Sequence, residues 1–186
     1  MSAAASDNLP LITVAGGPGT GTTTLCKLLA KRLGVPHVYA GQIFRDMARE
    51  RGMDVVQFNH YSEKHPEVDH ELDYRMIEVA RKGHVVLEGR MSVWHARLSG
   101  ARAVRVLLVA PEEVRARRVA QRENKSDVEA VLAENRERET SESLRYRTLY
   151  GMDPADPAHY DLVIDTADLT PDEIADRVVA ALPKAR

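Results

Sequence analysis

Cysteine occurs once in this 186-residue chain, at Cys26. No intrachain disulfide can form, and a disulfide-stapled secreted scaffold is excluded. Long apolar runs are missing too: none approaches the roughly 20 residues that span a bilayer. The first residues, "MSAAASDNLP", hold no apolar core of the secretory type. Excess charge of one sign is also lacking. The net charge is -2 and the pI is near 6.4, which leaves no electrostatic footprint for general nucleic-acid binding. Internal repeats and low-complexity linkers are absent. These absences lead to the expectation of a soluble cytoplasmic protein without nucleic-acid or membrane partners. A monomer with small-molecule partners is also expected. Residues 1–8 are expected to form a flexible tail before one domain over 9–186, a length that suits a single core.

The charge that is present is unevenly made. Twenty arginines stand against six lysines. Arginine offers a planar fork of donors that matches phosphate and carboxylate, although it also serves in surface ion pairs.

Short apolar runs alternate with longer helical patterns. Strands are expected at 9–15, 35–40, 84–89, 103–110 and 160–166. Helices are expected at 22–33, ended by Gly34, and at 41–52, stopped by Gly52. The polar segment 54–82 reads as helical with a break at His65-Pro66. Two long charged helices follow at 112–123 and 127–150. The last helix, 170–182, has Thr170 as N-cap, Pro171 at its first position and acids in its first turn. Strands alternating with helices imply a parallel sheet covered on both faces, an α/β domain of three layers. Cys26, among Leu25, Leu28 and Leu29, reads as a small buried hydrophobe.

One motif carries chemistry. "GGPGTGTTT", Gly16 to Thr24, has the spacing of a G-x-x-x-x-G-K-[ST] phosphate loop between a strand and a helix. Gly16 and Gly21 are in place, Thr23 takes the Ser/Thr position, and Thr22 stands where lysine is usual. Glycines at 16, 17, 19 and 21 let several backbone N–H groups face one anion, and the helix start adds its partial positive charge. The hydroxyl of Thr23 is placed for a magnesium ion. Most of such a cradle is backbone and survives loss of the lysine. A tight glycine turn joining strand to helix is the plainer alternative.

The chain resembles the archaeal-type cytidylate kinases of the P-loop nucleoside monophosphate kinase group. The loop and the segments "YAGQIFRDMARERGM", "HPEVDHELD", "GHVVLEGR", "APEEVRARRVAQRENKS", "ERETSESLRYRTLYG" and "YDLVIDT" carry the likeness, in order, over nearly all of 9–182. The resemblance implies a five-stranded P-loop domain with an acceptor-binding segment at about 40–83 and a lid at about 120–150. It implies transfer of the γ-phosphoryl group of ATP, with magnesium, to CMP or dCMP. Gly16, Gly17, Pro18, Gly19, Thr20, Gly21, Thr22, Thr23 and Thr24 would then hold the ATP phosphates, and Arg118 would stack near its base. Thr23 and Glu88 would serve the metal. Gly41, Arg45, Asp69 and Arg90 would bind the acceptor, with Arg45 and Arg90 on its phosphate and Asp69 reading an amino group. Arg122, Arg138 and Arg145 would complete the charge from the lid.

Each assignment has a plainer rival. Arg45 could be a surface arginine near Asp46 and Glu50. Glu88 and Arg90 could form a buried ion pair. Residues 112–147 hold about as many acids as bases, which could make solvated i, i+4 pairs. Lys27 lies more than a turn into its helix and points away from the loop mouth. Trp94 reads as packing beside the cleft, and His60, His65 and His70 as polar surface. The competing functions are a kinase of the same fold acting on another monophosphate or a small alcohol, and a catalytically silent ATP-binding regulator.

Overall fold

The computed structural model describes residues 9–62 and 64–183, apart from the side chains of residues 55, 56, 59, 141 and 145. The expected tail at 1–8 lies outside the described residues. The elements are β1 (Leu11–Gly16), α1 (Thr22–Leu33), β2 (His37–Tyr39), α2 (Ala40–Glu50), α3 (Val55–Ser62), α4 (Glu67–Lys82), β3 (Val86–Glu88), α5 (Ser92–Ser99), β4 (Ala103–Val109), α6 (Glu112–Glu123), α7 (Val128–Tyr150), β5 (Leu162–Asp165) and α8 (Pro171–Ala181). A single 3-10 turn, Pro157–His159, precedes β5.

All five strands pair in parallel, in the order β2-β3-β1-β4-β5. The sheet is covered on both faces, so its central strands are apolar at nearly every position. Successive residues feed opposite cores. Ile12, Val14, Val86 and Val106 pack under Leu25 and Leu29 of α1 and Val178 of α8. Leu11 and Leu87 pack under Met76 and Ala80 of α4 and Ala96 of α5. Each fully buried Leu, Ile or Met contributes about 1.5–3 kcal/mol over an exposed one, so this double burial outweighs local propensity. A smaller cluster of Met47, Ala48, Phe58 and Val68 joins α2, α3 and α4 to one another, away from the sheet. Another ties α6 to α7 through Ala116, Val119, Ala120 and Val131.

The expected punctuation holds. Gly34 caps α1, and Thr170 and Glu173 form a reciprocal capping box at α8. Pro66 separates α3 from α4. Sequence reading had no helix at 92–99. There α5 buries Ser92, Val93, His95 and Ala96, and so shows no polar face to mark it.

Among the described residues no helix is long and apolar enough to cross a membrane.

Candidate active site

The strand order doubles back at β1, which places a crevice at the carboxyl ends of β1 and β3. The phosphate loop leaves β1 there and enters α1. Gly21 precedes α1 with φ 95, a left-handed conformation open to glycine at little cost. A Cβ on Gly19, whose φ is 81, would meet the Arg115 backbone, its Cα only 2.8 Å away. The loop is therefore packed directly on α6. Thr20 braces it from within: its Oγ1 donates to Gly17 O (2.8 Å), and its own carbonyl accepts from Thr166 Oγ1 (3.1 Å). The first N–H groups of α1, which lack partners within the helix, open onto this crevice.

A cleft of about 740 Å³ runs along the loop and is lined by residues 14–25, Glu88, Gly89, Arg90, Arg118, Arg122 and Arg138. All nine expected loop residues line it. Four arginines thus line the cleft whose loop lacks the usual lysine. Lys27 is exposed and does not line the cleft. Thr22 does not replace the lysine's charge: its Oγ1 donates to Glu88 Oε1 (3.0 Å).

Glu88 is the most closely held acid of the site. Thr23 Oγ1 donates to Oε1 at 2.6 Å, and His37 Nε2 bonds Oε2 at 2.8 Å. Two hard oxygen donors side by side suit magnesium, which favours oxygen ligands. His37 sits on β2, paired beside β3, and sequence reading gave it no role. Cys26 Sγ lies within 4.8 Å of the ligating atoms of His37 and Glu88. Burial, with Glu88 adding to it, pushes that thiol's pKa well up, so Cys26 stays protonated and behaves as the small hydrophobe expected.

A second pocket, about 280 Å³, adjoins the first. Tyr39, Gly41, Asp69, Asp73, Tyr146 and Tyr150 form much of its wall, and it shares Glu88, Gly89, Arg90 and Arg138 with the larger cleft. Arg45 stands at its side, stacked over the Tyr39 ring at 5.1 Å and donating to Tyr39 Oη. It bonds Gln42 as well, rather than the Asp46 or Glu50 of the plainer reading.

Glu88 and Arg90 do not pair with each other. Arg90 Nη1 lies 2.6 Å from Glu142 Oε2, and Arg138 Nε donates to Glu142 Oε1 (2.8 Å). An acid from α7 thus sits between two arginines shared by both pockets. One turn earlier, Glu139 takes a two-pronged contact from Arg115, which is only 8% exposed and also donates to Ala110 O (3.1 Å). The sequence alone gives Arg115, Glu139 and Glu142 no role. No local signal identifies these three, since their partners lie on other elements.

Arg118 is anchored beside the loop by bonds to Thr166 Oγ1 (3.0 Å) and Thr166 O (2.7 Å). Arg122 faces the cleft and pairs with Glu123 (2.7 Å). Arg145 lies on α7, and its side chain is outside the described residues. The charges of 112–147 are only partly local pairs: Arg115–Glu139 and Arg136–Glu112 cross between α6 and α7. Trp94 packs against Tyr150 (5.6 Å between rings), as a packing residue should. His65 pairs with Glu67 and stacks on Tyr61, away from the cleft.

Comparison with known proteins agrees with this geometry. A model of the cytidylate kinase-like family matches residues 11–168. The cytidylate kinase of Methanocaldococcus jannaschii is 47% identical over 158 residues, 84% of this chain and 88% of that one. The cytidylate kinase of Methanopyrus kandleri is 45% identical over 179 residues, 92% of each chain. The shikimate kinase of Acinetobacter baumannii, solved with shikimate, shares the fold with a TM-score of 0.62 at 18% identity, over 94% of this chain and 93% of its own. A family match of this length, joined to identities near one half with two relatives, makes the chain a member of the cytidylate kinase-like family.

Proposed function

We propose that this protein transfers the γ-phosphoryl group of ATP to CMP or dCMP. The observation that carries the reading is the meeting of two pockets at Glu88, Gly89, Arg90 and Arg138. The larger holds a nucleoside triphosphate on loop amides, with Arg118 beside its base. The smaller holds a monophosphate, whose phosphate points at the shared residues under Arg45 and Arg90. Asp69 stands on its wall. A catalytically silent regulator would have no use for this second pocket.

The chemistry asks for positioning and charge neutralisation rather than covalent help. A phosphomonoester has a second pKa of about 6, so the attacking oxygen is ionised at neutral pH and no side chain need remove a proton. Loop amides and the α1 N-terminus fix the triphosphate. Arg122, Arg138 and Arg145 bring positive charge from α6 and α7 as the lid closes and excludes water. Thr23 and Glu88 would hold magnesium, which when bound neutralises phosphate charge. His37 orients Glu88 for that task.

The test is coupled ADP formation with ATP and magnesium across CMP, dCMP, UMP, AMP and shikimate. CMP and dCMP are expected to lead. Equal or better turnover of AMP, or of the alcohol, rejects the assignment.

A further inference from the structure

We infer that Asp73 selects the acceptor base, by accepting a hydrogen bond from a ring amino group where a uracil would present a carbonyl. The inference rests on the kinase reading and deepens it.

Asp73 lies on α4 and lines the smaller pocket, with its side chain 18% exposed. Both of its oxygens are held from outside that pocket's α4 wall. Oδ1 is bonded by His95 Nε2 of α5 (2.9 Å), and Oδ2 accepts from Tyr150 Oη at the end of α7 (2.7 Å). His95 is buried, and its Nδ1 has no partner among the described residues. A proton on Nδ1 would be a buried donor left unsatisfied, so the neutral ring carries its proton on Nε2 and donates to Asp73. Both partners are then donors, and Asp73 is held as a hydrogen-bond acceptor.

Each carboxylate oxygen offers about two acceptor positions. His95 and Tyr150 use one apiece, which leaves capacity for a donor from the pocket. A cation does not take it, since Asp73 pairs with no arginine or lysine among the described residues. Arg75, two residues on, is occupied by Glu50 (2.9 and 2.6 Å) and Glu71 (2.6 Å). Tyr146 and Tyr150 give the pocket aromatic walls, their rings 6.2 Å apart. The volume of about 280 Å³ lies at the lower edge of the roughly 300–1,000 Å³ common for small-molecule sites, and suits one ring better than two. A pyrimidine whose exocyclic 4-position donates at this acid carries an amino group, whereas uracil can donate only from its ring N–H. A ring carbonyl there would face a carboxylate with no proton between them.

Asp69, one turn earlier on the same face of α4, also lines the pocket. Asp73 differs in being clamped. A fixed acceptor discriminates because the wrong partner leaves it unpaired. Tyr150 also ties this acceptor to the last turn of α7, linking base recognition to the lid.

The experiment compares kcat/KM for CMP and UMP, and equilibrium binding of both, in wild type and Asp73→Asn. The amide can donate to a carbonyl, so the CMP-to-UMP ratio is expected to fall by about 10–100-fold, with the KM for ATP unchanged. Tyr150→Phe keeps the ring, removes one clamp, and should lower the ratio by a smaller factor. It decides the matter if Asp73→Asn does not fold. A ratio unchanged in both variants overturns the inference while leaving the kinase reading intact, as does a ratio that moves in Asp69→Asn instead. Wild type without CMP turnover overturns the kinase reading, and this inference with it.

Discussion

Removing Arg115 should destabilise the protein severely, and for a reason specific to Glu139. Arg115 is 8% exposed, and its guanidinium joins three segments: the Ala110 carbonyl after β4, the Pro18 carbonyl of the loop (3.5 Å), and Glu139 of α7. Truncating one partner of a buried ion pair costs about 3–5 kcal/mol, because the other charge is left uncompensated. Glu139 is 28% exposed, so water recovers part of that loss. The lost carbonyl bond adds about 1 kcal/mol. We expect about 3 kcal/mol for Arg115→Ala, which for a chain of this size lowers Tm by about 6–12 °C. Glu139→Gln keeps a neutral bond to Arg115 but leaves that more buried charge uncompensated, so it should cost about 2–3 kcal/mol. In the double variant no charge is stranded, so its loss should fall short of the summed single losses by about 1–2 kcal/mol. The assay is thermal unfolding followed by circular dichroism on all four proteins. Strict additivity, or a Tm drop under about 2 °C for Arg115→Ala, would refute the reasoning.

Three further outcomes are expected. Arg90→Ala should raise the acceptor KM by at least about tenfold, since a charge-assisted phosphate contact is worth roughly 1.5–3 kcal/mol; a change confined to the KM for ATP would contradict the placing of the two phosphates. Thr23→Ala should shift the magnesium dependence of turnover to higher concentration without lowering Tm, and an unchanged titration would count against the metal role. Hydrogen bonds from the Arg105 side chain hold the Asp161 carboxyl below its usual range, against the opposing effect of burial. Because the folded pKa is the lower one, this stabilisation is complete above the unfolded value of about 3.9 and fades as pH falls through the folded value. Asp161→Asn should therefore lower the urea midpoint more at pH 6 than at pH 3; an equal loss at both would show that the charge is not responsible.

The sheet was readable in the sequence because buried parallel strands are continuous apolar runs, as in "LPLITVA" and "AVRVLLVA". Helix ends were readable where a single residue type enforces them, as at Gly34, Pro66 and Thr170. The helix at 92–99 was not, since a segment buried around His95 and Ala96 carries no amphipathic stripe. The phosphate loop was legible because backbone geometry demands glycine at fixed spacing. The residues that hold the site in place were not. His37 meets Glu88 across 51 positions, and Tyr150 meets Asp73 across 77. Nothing near either residue encodes its partner. Arg115 and Arg118 sit in one basic run, yet burial sends one to Glu139 and the other to Thr166.

Met47, Ala48, Phe58 and Val68 give α2, α3 and the start of α4 an oily centre of their own, while Met76 and Ala80 seat the rest of α4 on the sheet. A cluster with its own interior can drift in sequence while the sheet beneath it stays put. On the proposed reading, this separates what the scaffold phosphorylates from how it phosphorylates, and re-tailoring α2 and α3 is the direct route to a new substrate.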